Sequence, residues 1–162
     1  MPGRPIDVAL SHAEAGEGME TLYENACTLN TEPDLCFNYA TNENLKDWGF
    51  TEGCFSCLLR DKKDVIIQVI TAYHYEEGAT SAYNADVQYL KNNDYGSQIN
   101  IKKIGESSVL FKKKQSDGTT YNLLFLKNNF FAAISAKYKI DGAGNLPHIT
   151  GLAEKIEGKI TG

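Results

Sequence analysis

The sequence lacks the motifs by which many enzymes are identified. It contains no GxSxG, GxGxxG, P-loop or HExxH pattern, so it offers no nucleophile elbow, dinucleotide fold, phosphate loop or zinc-protease site. Its only histidines, His12, His74 and His148, have no metal-ligand spacing. The adjacent acids Glu76 and Glu77 lack the fixed separation that paired acid-base catalysis needs. No catalytic residue, metal ligand or cofactor site is predicted, and a non-enzymatic function is favoured.

Long apolar runs and an excess of basic charge are also missing. No run approaches the ~18 residues that a membrane-spanning helix needs. The 162 residues carry 16 Lys and Arg against 21 Asp and Glu, a net charge of -5, which argues against nucleic acid as the main partner. The N-terminus does not read as a signal peptide, so we expect any targeting segment to lie outside this sequence. The small polar residues of 1–18 predict a flexible lead-in, and 19–162 is long enough for a single domain.

Cysteine is absent after Cys57, and the four that occur, Cys27, Cys36, Cys54 and Cys57, are clustered. An even, clustered set favours disulfides in the N-terminal half and export to an oxidising compartment. On a strand, Cys54 and Cys57 would point to opposite faces, which disfavours a bond between them. Two crossed pairings therefore stay open.

Two alternatives leave the thiols reduced. Cys54 and Cys57 form a CxxC pair, the arrangement of thiol redox proteins, but they begin a predicted strand and no βαβ unit precedes them. All four cysteines could bind zinc, although only half of their spacing resembles a zinc knuckle. Structural disulfides are the favoured interpretation.

The rest of the chain alternates between strand and helix patterns. A 3-4 apolar spacing predicts a short helix within 16–30, and Thr41 is a candidate N-cap for a second helix that ends at Gly49. Strands are predicted at 55–60, 65–75, 99–104, 109–114, 120–127 and 130–138, and further helices begin near Thr80 and Pro147. The predicted apolar face of the first of these helices contains Ala82, Tyr83, Val87 and Leu90, and that of the second contains Ile149, Leu152, Ile156 and Ile160. Asp117-Gly118 and Asn128-Asn129 are typical of tight hairpin turns. The prediction is an α+β fold with a mainly antiparallel sheet of about six strands packed with helices.

Nine tyrosines are the strongest sign of a binding role. Tyr73 and Tyr75, at a predicted strand end, and Tyr95, in a predicted loop, could contact a partner through their amphipathic rings. The alternative is that the tyrosines border the core of the sheet with their hydroxyls at the surface.

Several segments resemble those of exported cell-envelope proteins and lipoproteins of unknown function, archaeal or bacterial. The segments are Asp34-Leu35-Cys36, the helix to Trp48-Gly49, Phe55-Ser56-Cys57-Leu58, Ile104-Gly105-Glu106-Ser107-Ser108, Leu126-Lys127-Asn128-Asn129 and Leu152-Ala153-Glu154-Lys155-Ile156-Glu157. Their order also looks like the fold of PsbP, an extrinsic photosystem protein. The resemblance covers about three-quarters of the chain, through structural motifs of low specificity.

The resemblance has three implications. Such families suggest a bridge between their first and second cysteines, which transfers only onto Cys36 and Cys57, whereas Cys27 and Cys54 fall outside that pattern. Of the two crossed pairings, we prefer Cys36–Cys57 with Cys27–Cys54. A location outside the cell or in the envelope is implied, with non-catalytic binding of a protein or envelope component. The PsbP metal site and photosystem partner do not transfer to this chain.

Overall fold

The computed structural model describes residues 3–31 and 33–160. The first two residues of the predicted lead-in, 1–2, and the last two of the predicted domain, 161–162, lie outside the described residues. All seven strands form one antiparallel sheet in the order β1-β2-β3-β7-β6-β5-β4. The strands are β1 Met19–Cys27, β2 Phe50–Arg60, β3 Asp64–Tyr73, β4 Ser97–Ile99, β5 Ser107–Gln115, β6 Gly118–Lys127 and β7 Phe130–Tyr138. The helices are α1 Pro5–Val8, α2 His12–Ala15, α3 Asn42–Asp47, α4 Glu76–Asn92 and α5 Asn145–Lys159. The α+β class and the antiparallel sheet are confirmed, with seven strands rather than about six.

The three-strand meander and its turns match the prediction. Gly118 and Asn128 have positive φ angles of 148° and 53°, which the tight turns between β5, β6 and β7 require. Thr41 caps α3 by accepting a hydrogen bond from the Asn44 N–H at 3.2 Å, also as predicted.

The helix predicted within 16–30 is wrong, because this segment contains the edge strand β1. Its apolar residues do not form a buried stripe: Leu22 and Tyr23 are exposed, and only Met19 and Cys27 at the two ends are buried. Pairing with β2 satisfies the backbone groups of β1 that face β2, and this long-range contact overrides the local spacing. Other boundaries also differ: β2 begins at Phe50 rather than Phe55, β3 ends at Tyr73 rather than Tyr75, α4 begins at Glu76 rather than near Thr80, and β4 ends at Ile99 rather than Ile104.

Helices cover the two faces of the sheet unequally. On the first face, α1, α2 and α5 bury a continuous core. The buried face of α5 is the predicted one: Ile149, Leu152, Ile156 and Ile160. On the second face, α3, α4 and the segment 33–39 cover one end of the strands and leave the side chains beyond them half-buried.

The described part of the predicted lead-in 1–18, residues 3–18, contributes to the first layer. Val8, Leu10 and Ala15 are buried against the sheet. The buried Gln68 side chain donates to the Leu10 carbonyl at 2.7 Å and accepts from the Leu10 N–H at 2.9 Å. Sequence analysis missed this packing because the anchoring residue is 58 positions away.

Candidate functional site

A cleft of about 310 Å³ lies on the second face, where helical cover ends. Its floor is the middle of the sheet, where two rows of residues lie opposite one another on adjacent strands. The first row is Phe55, Val69, Ala133 and Leu124, and the second is Ile67, Ser135 and Asn122. Paired residues in adjacent strands share a face, so these side chains point into one space. The floor is mainly apolar, with a hydroxyl and an amide near its centre.

The segment Asp34–Tyr39 forms one wall of the cleft, and a disulfide ties it to β1. Cys27 and Cys36 are bonded, with their Cα atoms 6.4 Å apart. Gly53, the cross-strand partner of Cys27, leaves room for the bridge, since a Cβ there would lie 2.7 Å from the Cys27 Sγ and 2.9 Å from the Cys36 Sγ. The disulfide and Gly53 together place this wall close to the sheet.

Helix α4 forms the opposite wall and carries a buried carboxylate into the cleft. Its buried positions recur every four residues at Gly78, Ala82, Asp86 and Leu90, so Asp86 occupies a place that an apolar residue would normally fill. Asp86 is only 8% exposed, and no described residue forms a hydrogen bond or ion pair with it. Burial raises the pKa of Asp86 to about 7.

Tyrosines surround Asp86 from three parts of the chain. Tyr39 comes from the segment 33–39, Tyr73 from β3 and Tyr95 from the loop after α4, and each is close enough to interact electrostatically with the carboxylate. Tyr39 and Tyr73 lie close together, and the Tyr73 hydroxyl lies 3.0 Å from the Thr71 Oγ1. Burial raises the pKa of all three tyrosines, so their rings present neutral hydroxyls at neutral pH.

Charge in the cleft has one sign. Among the described residues that line it, the charged side chains are Asp34 and Asp86, and none is Lys, Arg or His. The nearby lysines Lys113 and Lys137 are already paired, with Asp94 at 3.0 Å and Asp117 at 2.7 Å.

The preferred cysteine pairing, Cys36–Cys57 with Cys27–Cys54, is wrong. β1 and the turn at Pro33–Leu35 bring Cys27 and Cys36 together, whereas Cys54 and Cys57 are free and lie on opposite faces of β2. This geometry disfavours CxxC redox chemistry, and burial raises the pKa of both thiols, that of Cys54 to about 12. A four-cysteine zinc site is excluded because the disulfide uses two of the thiols.

The three tyrosines predicted to contact a partner do not form one surface. Tyr73 is 1% exposed, so a direct contact is wrong for this residue. Tyr75 is 70% exposed and lines a shallow groove beside Trp48. Tyr95 is half-buried and lines the cleft. The length of α4 separates Tyr75 from Tyr95 by about 25 Å, at 1.5 Å of rise per residue.

The histidines and the acid pair remain apart from the cleft. His148 lies in the first layer, where its Nδ1 is 2.7 Å from the Tyr138 hydroxyl and its Nε2 is 3.0 Å from the Ala15 carbonyl. Burial lowers the pKa of His148, which favours the neutral ring that these two contacts need. Glu76 and Glu77 begin α4 at its exposed N-terminus.

Comparison with known proteins finds a similar fold but shows no function. The chain matches no protein-family model, and no curated protein sequence is significantly similar to it. Among solved structures it is similar to the extracellular domain of PknH from Mycobacterium tuberculosis, with a TM-score of 0.65 and 9% identity over 98% of each chain. An uncharacterised Mycobacterium smegmatis protein aligns over 90% of each chain at 6% identity, with a TM-score of 0.42 that supports no inference. At 9% identity, the likeness to the PknH domain shows a shared fold alone.

Sequence analysis missed Asp86, although a signal was present. The predicted apolar face of α4 contains Ala82 and Leu90, and Asp86 lies midway between them, one helical turn from each. A lone carboxylate in an apolar stripe is a warning of buried charge.

Within the described residues, no helix is both long and apolar enough to span a membrane.

Proposed function

We propose that this protein is an exported or cell-surface domain that binds an envelope component or a segment of another protein in the cleft beside α4, without catalysing a reaction. The observation that carries the proposal is the half-covered second face, where an apolar floor and a tyrosine-rich wall stay open, whereas α1, α2 and α5 bury a continuous core on the first face. Such concave, largely apolar sites with a few polar groups are typical of ligand binding.

Two further observations support a location outside the cytoplasm. The Cys27–Cys36 disulfide is of a kind that persists in oxidising compartments. The structurally similar PknH domain is an extracellular one. An envelope anchor of the lipoprotein type and a PsbP-like fold remain part of the proposal, as does a contact role for Tyr75 and Tyr95.

The test is a binding screen with defined envelope chemistries. Short peptides, N-acetylated sugar oligomers, alkyl amines, alkyl alcohols and alkyl carboxylates are each added to the isotope-labelled protein, and amide shifts are followed by NMR. We expect at least one class to shift the amides of β3, β6 and β7 around Ile67, Asn122 and Ser135. A Ser135→Trp variant, which fills the centre of the floor, should abolish those shifts.

The matched control is Glu154→Trp, which adds the same bulk on the exposed side of α5, in the other layer. It should bind as the wild type does. If no class of compound shifts the cleft amides, or if both variants bind equally, the cleft is not the binding site.

A further inference from the structure

The carboxylate of Asp86 is the feature of the cleft that folding does not explain. A buried carboxylate without a partner costs free energy, and a leucine or alanine at this position would continue the apolar stripe of α4. Asp86 therefore lowers the free energy of unfolding relative to a leucine or an alanine at this position. Residues that break a local rule in this way are expected at functional sites.

The surroundings of Asp86 determine which chemical group could satisfy it. No cation of the protein reaches the carboxylate, since the described residues lining the cleft include no Lys, Arg or His. Tyr89 and Tyr95 line the same wall with ring centroids 5.9 Å apart, and tyrosine faces attract cations. An anionic ligand would meet only Asp34 and Asp86 as charged groups, and both would repel it.

We propose that the cleft binds a primary ammonium group joined to an unbranched apolar stem, with Asp86 as its counter-ion. The ammonium would lie beside Asp86 among the tyrosines, and the stem would lie along the apolar floor near Ile67 and Val69. A free alkyl amine and the lysine side chain of a peptide share this chemistry. The inference rests on the proposed binding function and names its ligand class.

A charge series of compounds with the same stem tests the inference. Dissociation constants are measured by calorimetry at pH 8 for hexylamine, hexanol, hexanoate and N-acetyl-lysine methylamide. We expect hexylamine to bind about 10- to 100-fold more tightly than hexanol, as for a charge-assisted hydrogen bond, and hexanoate more weakly than both. If N-acetyl-lysine methylamide binds as tightly as hexylamine, the natural ligand is the lysine side chain of a polypeptide. If N-acetyl-lysine methylamide does not bind, the natural ligand is a free amine.

Two isosteric variants complete the test. Asp86→Asn should reduce hexylamine binding to the level of hexanol, whereas Glu154→Gln, which removes an exposed carboxylate from α5, should change it less than about twofold. The wild-type series decides the question even if Asp86→Asn does not fold.

The outcomes separate the two proposals. If hexanol or hexanoate binds in the cleft as tightly as hexylamine, the ammonium inference is wrong and the binding function stands. If none of the four compounds binds and the wider screen also finds no cleft ligand, both proposals are wrong. If hexylamine binds but Asp86→Asn binds it equally, the counter-ion assignment is wrong.

Discussion

The two faces of the sheet differ in how completely they are covered. The first face is packed by α1, α2 and α5, and two of its polar side chains find partners within the layer, Gln68 with Leu10 and His148 with Ala15. The second face is covered at one end only, and the buried Asp86 has no hydrogen-bond or ion-pair partner among the described residues. One sheet therefore has a face built for stability and a face that keeps surface available. Changes at equivalent positions on the two faces should separate these roles.

The largest expected effect is a matched pair of truncations. Ile156→Ala on the first face removes a side chain that is 0% exposed, and we expect it to lower the free energy of unfolding by about 2–5 kcal/mol. Ile67→Ala removes the same atoms from the half-buried cleft floor and should cost roughly 1 kcal/mol or less. Urea unfolding followed by circular dichroism measures both. Equal losses would show that the second face is also a packed core.

The disulfide should have the next largest effect. Replacing Cys27 and Cys36 by alanine removes a bridge across a nine-residue separation, and we expect a loss of about 3 kcal/mol together with a loosened cleft wall. Unfolding curves and amide exchange across 33–39 measure the two effects. Cys57→Ala, at a half-buried free thiol, is the control and should cost less than about 1 kcal/mol. Peptide mapping that joined Cys36 to Cys57 would contradict the pairing.

A polar anchor on the first face should rank third. Gln68→Leu leaves the Leu10 N–H and carbonyl without their partners, and we expect a loss of roughly 1–3 kcal/mol. Hydrogen exchange at the Leu10 amide should speed up more than exchange in β6. The control is Asn122→Leu on the cleft floor, where we expect a change within about 0.5 kcal/mol. Unchanged protection at Leu10 would show that the N-terminal segment is held by other contacts.

The smallest effect, of opposite sign, should come from Asp86. Burial raises the pKa of this carboxyl from 3.8 unfolded to about 7 folded, so the folded state binds the proton more tightly. The wild type should lose stability as the pH rises from about 4 to 7 and stay level above that. Asp86→Asn removes this loss, so we expect the variant to be more stable than the wild type at pH 8. The gain should be limited to about 1–2 kcal/mol, because the buried amide also lacks a partner.

The groups that face Asp86 do not share its titration. Tyr39 from the segment 33–39, Tyr73 from β3 and Tyr95 from the loop after α4 all have raised pKa values and stay neutral over this range, and Asp34 is exposed. Thermal unfolding of the wild type and Asp86→Asn between pH 4 and 8 is the measurement. Parallel stability curves for the two proteins would show that Asp86 is already satisfied.

Local patterns predicted the parts of the fold that local physics controls. Alternating apolar residues and the turns at Gly118 and Asn128 predicted the meander, because period-two burial and positive φ are properties of a few adjacent residues. Thr41 predicted the start of α3 for the same reason. The buried face of α5 followed from its 3-4 spacing.

Tertiary structure decided what lies between distant segments. β1 is a strand because β2 lies beside it, and only that pairing brings Cys27 close to Cys36. The cleft exists because α4 covers one end of the second face, and Asp86 becomes a buried carboxylate because this packing of α4 places it there, near tyrosines from other elements. The sequence by itself determined the β5–β6–β7 meander and its turns, since these depend on neighbours along the chain. Contacts between distant residues determined β1, the disulfide, the cleft and its charge, since no local pattern specifies which distant segments pack together.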